Sequence, residues 1–499
     1  MLAGLLLAAV FGMNVYRAAK QPITHDEALT YHGFVAVPFH RLVTHFDTNN
    51  HLVNTLGCRL TTSLLGVSEI AMRLPSLAGG LAYLTAVFLL CRAAFGRGLL
   101  FLAAVALLSL NPFVLDYLSI ARGYGLALGF LFWGIYHLDQ FLGDEAWRPG
   151  HPDRRRRLVG GAVCLALAVY SNLTFVIIAA SLAATFLAIT CERGWTELDA
   201  RGRLELLRSL HRQFLRPGLV VFGILAVTLY KARPSAFYVG EDSLAASLRG
   251  MVAASAAHHH FAWPCNSDSS SYQRLIDALA TWGVGSTIFV AVIVGATTAW
   301  RVLQRKPDTR TPTGAQRLLL LAGVSLVLSC VLLLAAHLVL GMKYPHERTG
   351  IYLVPIFFLV AVAVVRITWR GQWPGRLAAV PGFALLAALV LLFASQLSPG
   401  AYREWRYDCT SRQVFDLVAA SSRCRPGETV RVGCFWIYAP SLEFYRAARR
   451  ADWLNIVNLR DGKGPCDAYV YPQELLPASE RLRPLAFFPE SGTVVGCTR

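Results

Sequence analysis

The sequence is poor in charge. Asp, Glu, Lys and Arg make up 15 % of its 499 residues, against roughly 25 % in an average soluble protein. With 55 % hydrophobic residues, that shortage excludes a disordered chain and argues against an ordinary cytosolic enzyme. No Cys-x-x-Cys pair occurs among the 11 cysteines, so the usual ligand spacing of a zinc site is missing. No basic residue precedes the first apolar stretch, Leu2 to Tyr16, which favours a membrane anchor over a cleaved signal peptide. Internal repeats and low-complexity tracts are missing too. Acidic residues are few: 30 against 47 Lys and Arg, a net charge of +17. On a soluble protein that excess would suggest nucleic acid. Here much of it sits in short loops between apolar blocks, so membrane topology accounts for it first and no nucleic-acid partner is expected.

What the chain does have is apolar length. A bilayer-spanning helix needs about 20 apolar residues, and about eleven such segments can be read. They are Leu2 to Tyr16, Leu74 to Leu90, Leu99 to Leu115, Tyr124 to Leu138, Leu158 to Tyr170, Leu173 to Ile189, Leu219 to Tyr230, Ala278 to Trp300, Leu318 to Leu340, Ile351 to Val365 and Leu377 to Leu397. Leu158 to Ile189 is too long for one helix, and the polar pair Ser171-Asn172 supplies a turn. With the N-terminus inside, every second loop is basic. The inner loops then hold Arg92 and Arg97; Arg148 and Arg154 to Arg157; Arg193 to Arg216; Arg301 to Arg317; and Arg366 to Arg376. Arg154 to Arg157 also suit contact with anionic membrane lipids.

The expected fold is a polytopic α-helical membrane protein with a small C-terminal extracytoplasmic α/β domain. Residues 1–397 form the transmembrane part, with an amphipathic first outer loop at 21–73. Residues 398–499 form the soluble part. Its expected strands include Thr429 to Gly433, Asp467 to Tyr471 and Gly492 to Gly496, and Ser441 to Arg450 reads as a helix. Cys409, Cys424, Cys434, Cys466 and Cys497 lie in this tail, and Cys58 and Cys265 in outer loops. An oxidising compartment permits disulfides there, and an odd count leaves one thiol over.

A few residues break the pattern. Asp26 and Glu27 follow the first span at once, in Thr24-His25-Asp26-Glu27-Ala28-Leu29-Thr30-Tyr31. A helix N-terminus is the plain account of such a pair. Asp47 to Leu52 is a polar cluster in an amphipathic stretch, which reads as a turn. Arg122 stands alone in the short outer loop Asp116 to Tyr124. Lys343, His346 and Arg348 lie in another, Gly341 to Gly350. Topology disfavours cations outside. Snorkelling to head groups or pairing with Asp26 or Glu27 would explain them; so would an anion site, since Arg binds phosphate oxygens by a planar fork and Lys as a point charge.

Carboxylates facing cations at one membrane surface suit glycosyl transfer from a lipid phosphate. The acceptor hydroxyl needs a base, and the departing phosphate needs charge stabilisation. At these residues the chain resembles the integral-membrane glycosyltransferases of the GT-C class. The branch includes protein O-mannosyltransferases and lipid A aminoarabinose transferases. The matching pieces are Asp26-Glu27-Ala28 with Tyr31; Asn49-Asn50-His51-Leu52, where relatives often have His-Pro-Pro-Leu; Ser68 to Ser76; Ala121-Arg122-Gly123-Tyr124; and Glu347-Arg348 followed by Tyr352 and Pro355. The resemblance covers about residues 1 to 400.

It implies a polyprenyl-phosphate-linked sugar as donor, and a glycan, lipid or protein as acceptor. It also implies an active site on the far side of a bacterial inner membrane. Asp26 becomes the candidate base, with Glu27 beside it. Arg122 and Arg348, then Lys343 and His346, become candidate donor-phosphate ligands. Tyr31, His51 and Tyr124 are candidate substrate contacts. Some relatives use a divalent metal and others do not; were one bound, Asp26 and Glu27 would be its carboxylates. His258 to His260 have the wrong spacing for a rigid metal site. Phe237, Tyr238 and Trp263 read as an interfacial aromatic belt or an acceptor groove.

Rival readings make different demands. A transporter or lipid flippase needs ionisable residues within the membrane. Few lie mid-span here, and one of them, His337, sits near an outer end. A lipid-linked-sugar ligase or polymerase carries its key residues in a large late loop, and a receptor would bind ligand with its tail. A nucleotide-sugar enzyme is disfavoured, because no cytoplasmic segment is large enough for a nucleotide-binding domain.

Overall fold

The computed structural model describes all residues except 45–46, 48, 145, 149, 230–239, 257–273, 275–277, 279–312, 371–372, 423–428, 460–465, 476–481 and 499. The expected span at 278–300 lies almost wholly outside the described residues, as do Phe237, Tyr238, His258 to His260, Trp263, Cys265, Cys424 and the basic stretch Arg301 to Arg310. A helix covers at least part of every other expected apolar segment. Among the described residues, four helices are long and apolar enough to cross a membrane: Leu2–Lys20, Glu69–Phe95, Leu173–Glu197 and Gly314–Leu340. Shorter apolar helices include Leu99–Leu110 and Leu353–Trp369.

Close packing follows from small residues at crossings. A Cβ on Gly79 would lie 2.5 Å from the main-chain nitrogen of Leu126, so the Glu69–Phe95 and Tyr124–Gly143 helices meet backbone to backbone. Ser171-Asn172 does end the Arg154–Ser171 helix. The Asn172 Oδ1 accepts from the Thr174 main-chain nitrogen at 3.0 Å, capping the next helix.

Among its described residues the tail carries five strands: β1 Val430–Cys434, β2 Leu454–Asn458, β3 Ala468–Pro472, β4 Leu482–Phe488 and β5 Thr493–Thr498. Their order is β2-β1-β3-β5-β4, parallel across the first three and antiparallel in the last two pairings. The Ala439–Ala448 helix crosses from β1 to β2. Its core is shared. Ile23, Ala28, Tyr31 and Val35 of the first outer segment cluster with Phe415, Leu442, Phe444 and Val470 of the tail. Polar contacts fasten the same seam. The Ile23 main-chain nitrogen donates to Tyr445 Oη at 2.9 Å, and that of His25 to Asp408 Oδ2 at 2.6 Å. Every described cysteine is a free thiol.

Candidate active site

The site is built on a short helix, His25–Thr30, opened by a capping box. The Thr24 hydroxyl accepts from the Glu27 main-chain nitrogen, and the Glu27 carboxylate accepts from that of Thr24 at 2.9 Å. The plain account of the acidic pair therefore holds for Glu27. Its place is wholly interior. Arg73 donates to Oε1 from Nε at 2.8 Å and to Oε2 from Nη2 at 2.6 Å. The Ala121 main-chain nitrogen adds a further bond to Oε1 at 2.7 Å. Arg73 in turn donates to the carbonyls of Ala18, Gln21 and Pro22. One fully buried ion pair thus ties the end of the first helix, the acidic loop and the Ala121-Arg122-Gly123 turn together. Glu27 has no lone pair left for chemistry, and its bonds fasten structure.

Asp26 faces the other way. Its Oδ2 accepts from Arg348 Nη1 at 2.8 Å and lies 3.8 Å from Arg122 Nη2. No hydrogen bond reaches Oδ1 among the described residues. Burial pushes the carboxyl pKa up, but Arg122 and Arg348 outweigh it and hold the group below its ordinary value. Arg122 is oriented by Asn49 Oδ1 at 2.9 Å and Thr30 Oγ1 at 3.3 Å. Its Nε is buried and has no hydrogen-bond partner among the described residues. Gly123 is dictated by space: a Cβ there would fall 1.8 Å from the Ser171 carbonyl and 2.8 Å from His51 Cβ.

His51 is buried beside Tyr124, ring centroids 5.5 Å apart. Its Nε2 has no hydrogen-bond partner among the described residues. Burial, with help from Arg122 and Arg348, drives its pKa well below the usual histidine range, so the ring is neutral.

Three sequence candidates sit apart from this cluster. Lys343 pairs with Asp242 at 3.3 Å, on the surface. His346 Nδ1 contacts Glu241 Oε1 at 2.6 Å. Tyr31 stacks edge-on against Phe444 and belongs to the seam with the tail.

One participant had no sequence signal. Glu404, in the segment joining the last apolar helix to the tail, accepts from the same Arg348 Nη1 that serves Asp26. Its other oxygen accepts from Tyr117 Oη. The Trp405 ring lies 5.8 Å from the Arg348 guanidinium carbon. Glu347, next to Arg348, has φ +34, a strained conformation for a side-chain-bearing residue. A bidentate pair with Arg403, at 3.0 and 3.3 Å, holds it there.

A divalent ion does not fit Asp26 and Glu27. Arg73 and two main-chain nitrogens saturate Glu27, and guanidiniums already supply the countercharge on Asp26. Among the described residues no three His, Cys, Asp or Glu side chains gather at metal-binding range.

Beside the Arg348 turn opens an almost wholly apolar cavity of about 140 Å³, lined by Met251, Leu353, Val354, Phe357, Phe358 and Phe393. The Leu244–Ala256 helix braces the turn, Ser247 Oγ donating to the Pro345 carbonyl at 2.5 Å.

No family model matches the chain, and no curated protein matches it. Among solved structures, the chain is similar to ArnT from Cupriavidus metallidurans. The undecaprenyl-phosphate complex has a TM-score of 0.41 and 15 % identity, covering 99 % of this chain and 97 % of that one. The apo state gives 0.41 and 17 % over the same shares. The oligosaccharyltransferase AglB from Archaeoglobus fulgidus, with an inhibitory peptide and a dolichol-phosphate, gives 0.43 and 13 %, covering 90 % of this chain and 64 % of that one.

Proposed function

We propose that this protein is an inverting glycosyltransferase of a bacterial inner membrane. It moves a sugar from a polyprenyl-phosphate donor to an acceptor hydroxyl on the extracytoplasmic face. The supporting observation is the meeting of Asp26 with Arg122 and Arg348, drawn from three distant stretches of chain, at 3.8 and 2.8 Å. On a reading of about eleven spans with the N-terminus inside, which the basic residues of every second loop support, all three and the tail lie outside.

The donor phosphate lies between the two guanidiniums, and its lipid end enters the apolar cavity beside Leu353 and Val354. Asp26 takes the proton of the acceptor hydroxyl. The hydroxyl oxygen attacks the anomeric carbon opposite the phosphate. The carbon–oxygen bond to the phosphate breaks, its electron pair stays on the phosphate, and the sugar carbon inverts. Once the phosphate engages Arg122 and Arg348, their hold on Asp26 relaxes and the carboxylate becomes a better base. His51 and Tyr124, buried beside Arg122, are the sugar contacts of this reading.

The test supplies membrane vesicles holding the protein with radiolabelled polyprenyl-phosphate sugars. Covalent transfer of one label to an acceptor is the expected result. Label that crosses the membrane still attached to its lipid would overturn the reading in favour of a flippase.

A further inference from the structure

Glu404 is held on Arg348 by its surroundings. On one side, Gln21 Nε2 donates to the Pro399 carbonyl at 2.8 Å. On the other, the Arg403 main-chain nitrogen donates to Asp116 Oδ2 at 2.9 Å. Asp116 is itself paired with Arg17. Two carboxylates therefore share one guanidinium nitrogen, at the place where an anionic substrate would have to bind.

The charges around this nitrogen can be counted. Arg17 with Asp116, Arg73 with Glu27, and Arg403 with Glu347 cancel in pairs. His25 and His51 are neutral, burial holding both below the usual histidine value. Asp408, which accepts from the His25 main-chain nitrogen, counts as a neutral acid, because burial pushes its carboxyl well above the usual carboxylate range. Arg122 and Arg348 remain, against Asp26 and Glu404, and the sum is zero. A sugar phosphodiester of a polyprenol adds one negative charge. An uncompensated charge in a buried site is costly. Neutrality returns when one carboxylate takes up a proton.

Asp26 faces two guanidiniums. Among the described residues, Glu404 bonds only to Arg348 and the Tyr117 hydroxyl. Asp26 and Glu347 lie near it as further acids, and Tyr124 and Tyr407 as phenols. Burial, against the pull of Arg348, raises its pKa above the ordinary carboxylate value.

We infer that Glu404 stands on Arg348 in place of the donor phosphate, and gives up the guanidinium as a neutral carboxylic acid when the lipid-phosphate sugar binds. The inference rests on the lipid-phosphate reading above. The proton comes from solvent. The count also closes after transfer. Asp26 then holds the acceptor's proton, the released phosphate carries two charges, and two guanidiniums face them. Both carboxyls are neutral at that stage. They lose their protons to solvent as the lipid phosphate leaves.

The experiment uses methyl farnesyl phosphate, a singly charged phosphodiester without sugar, titrated calorimetrically into the full-length protein in nanodiscs. Between about pH 6 and 8, affinity should fall by up to about tenfold per unit as pH rises, the mark of one proton taken up on binding. Glu404→Gln should bind at high pH as tightly as the unaltered protein does at low pH, with no slope. Titration of the unaltered protein in two buffers of different ionisation enthalpy should report one proton taken up per ligand, without any variant. A flat profile in the unaltered protein, or an unchanged slope in Glu404→Gln, would overturn the inference. Failure of both proteins to bind at any pH would instead bring down the lipid-phosphate reading itself.

Discussion

Asp26 and Glu27 are neighbours in the chain, both carboxylates, both paired with arginine. Their environments make them different objects. Glu27 is wholly buried and receives four hydrogen bonds, from Arg73 twice and from the main-chain nitrogens of Thr24 and Ala121. Asp26 keeps 14 % of its side chain exposed, shares Arg348 with Glu404, and has an oxygen that no described residue engages. A saturated, buried carboxylate fastens structure, because any change of its charge leaves Arg73 unpaired. A carboxylate with an unused lone pair at the mouth of a site can accept a proton. The fastener also serves the reagent: Glu27 holds Ala121, and Ala121 sets the position of Arg122.

The sharpest way to break this contrast is to change each acid alone. Asp26→Asn keeps the shape and a hydrogen bond to Arg348 but removes the base. Transfer should fall by about 10²–10⁴-fold, while the melting temperature stays within a few degrees. Full activity in this variant would strip Asp26 of its role. The opposite result is expected on the other side of the contrast. Arg73→Ala leaves Glu27 charged and unpaired, and frees the Ala18, Gln21 and Pro22 carbonyls from their donor. Loss of a buried partner costs about 3–5 kcal/mol, read as a large drop in thermal stability in detergent. If Arg73→Ala were stable but inactive, Glu27 would have to join the chemistry.

Much of this was legible in the sequence. Apolar length gave the helices, and Ser171-Asn172 gave the break between two of them. Arginines placed against topology pointed to Arg122 and Arg348. The division of labour between Asp26 and Glu27 was not legible, because it depends on Arg73, which stands in the Ser68 to Ser76 stretch of the resemblance but which nothing in the sequence pairs with Glu27, 46 positions away. Glu404 was silent for a similar reason. It lies in a short polar linker without a motif, and only the return of that linker across the Asp116–Tyr124 loop brings it to Arg348. In the tail, β2 and β4 were missed. β2 lies at a sheet edge and is only partly buried, so Leu454–Asn458 shows no clear alternation. Pro484 interrupts β4 at a register shift, where a strand pattern is hard to see.

The cations extend the same contrast. Arg122→Ala removes a charge-assisted contact worth about 1.5–3 kcal/mol. Donor affinity should fall by roughly one to two powers of ten, with thermal stability changed far less than by Arg73→Ala. Unchanged donor binding would return Arg122 to a purely structural place between Asn49 and Thr30.

Lys343 should give the smallest effect, although it shares a loop with Arg348. Its side chain is 44 % exposed, and its ammonium meets Asp242, whose side chain is 91 % exposed, at 3.3 Å. Such a surface pair is worth about 0–1 kcal/mol, and salt screens it further. Lys343→Ala should therefore change donor affinity and melting temperature only slightly, and the difference should shrink as salt is raised. A loss as large as that of Arg122→Ala would mean that the Gly341–Gly350 loop moves when donor binds and carries Lys343 from Asp242 to the phosphate. In that case exposure in the resting protein would no longer separate fasteners from reagents, and Lys343 would join Arg122 and Arg348 in the clamp.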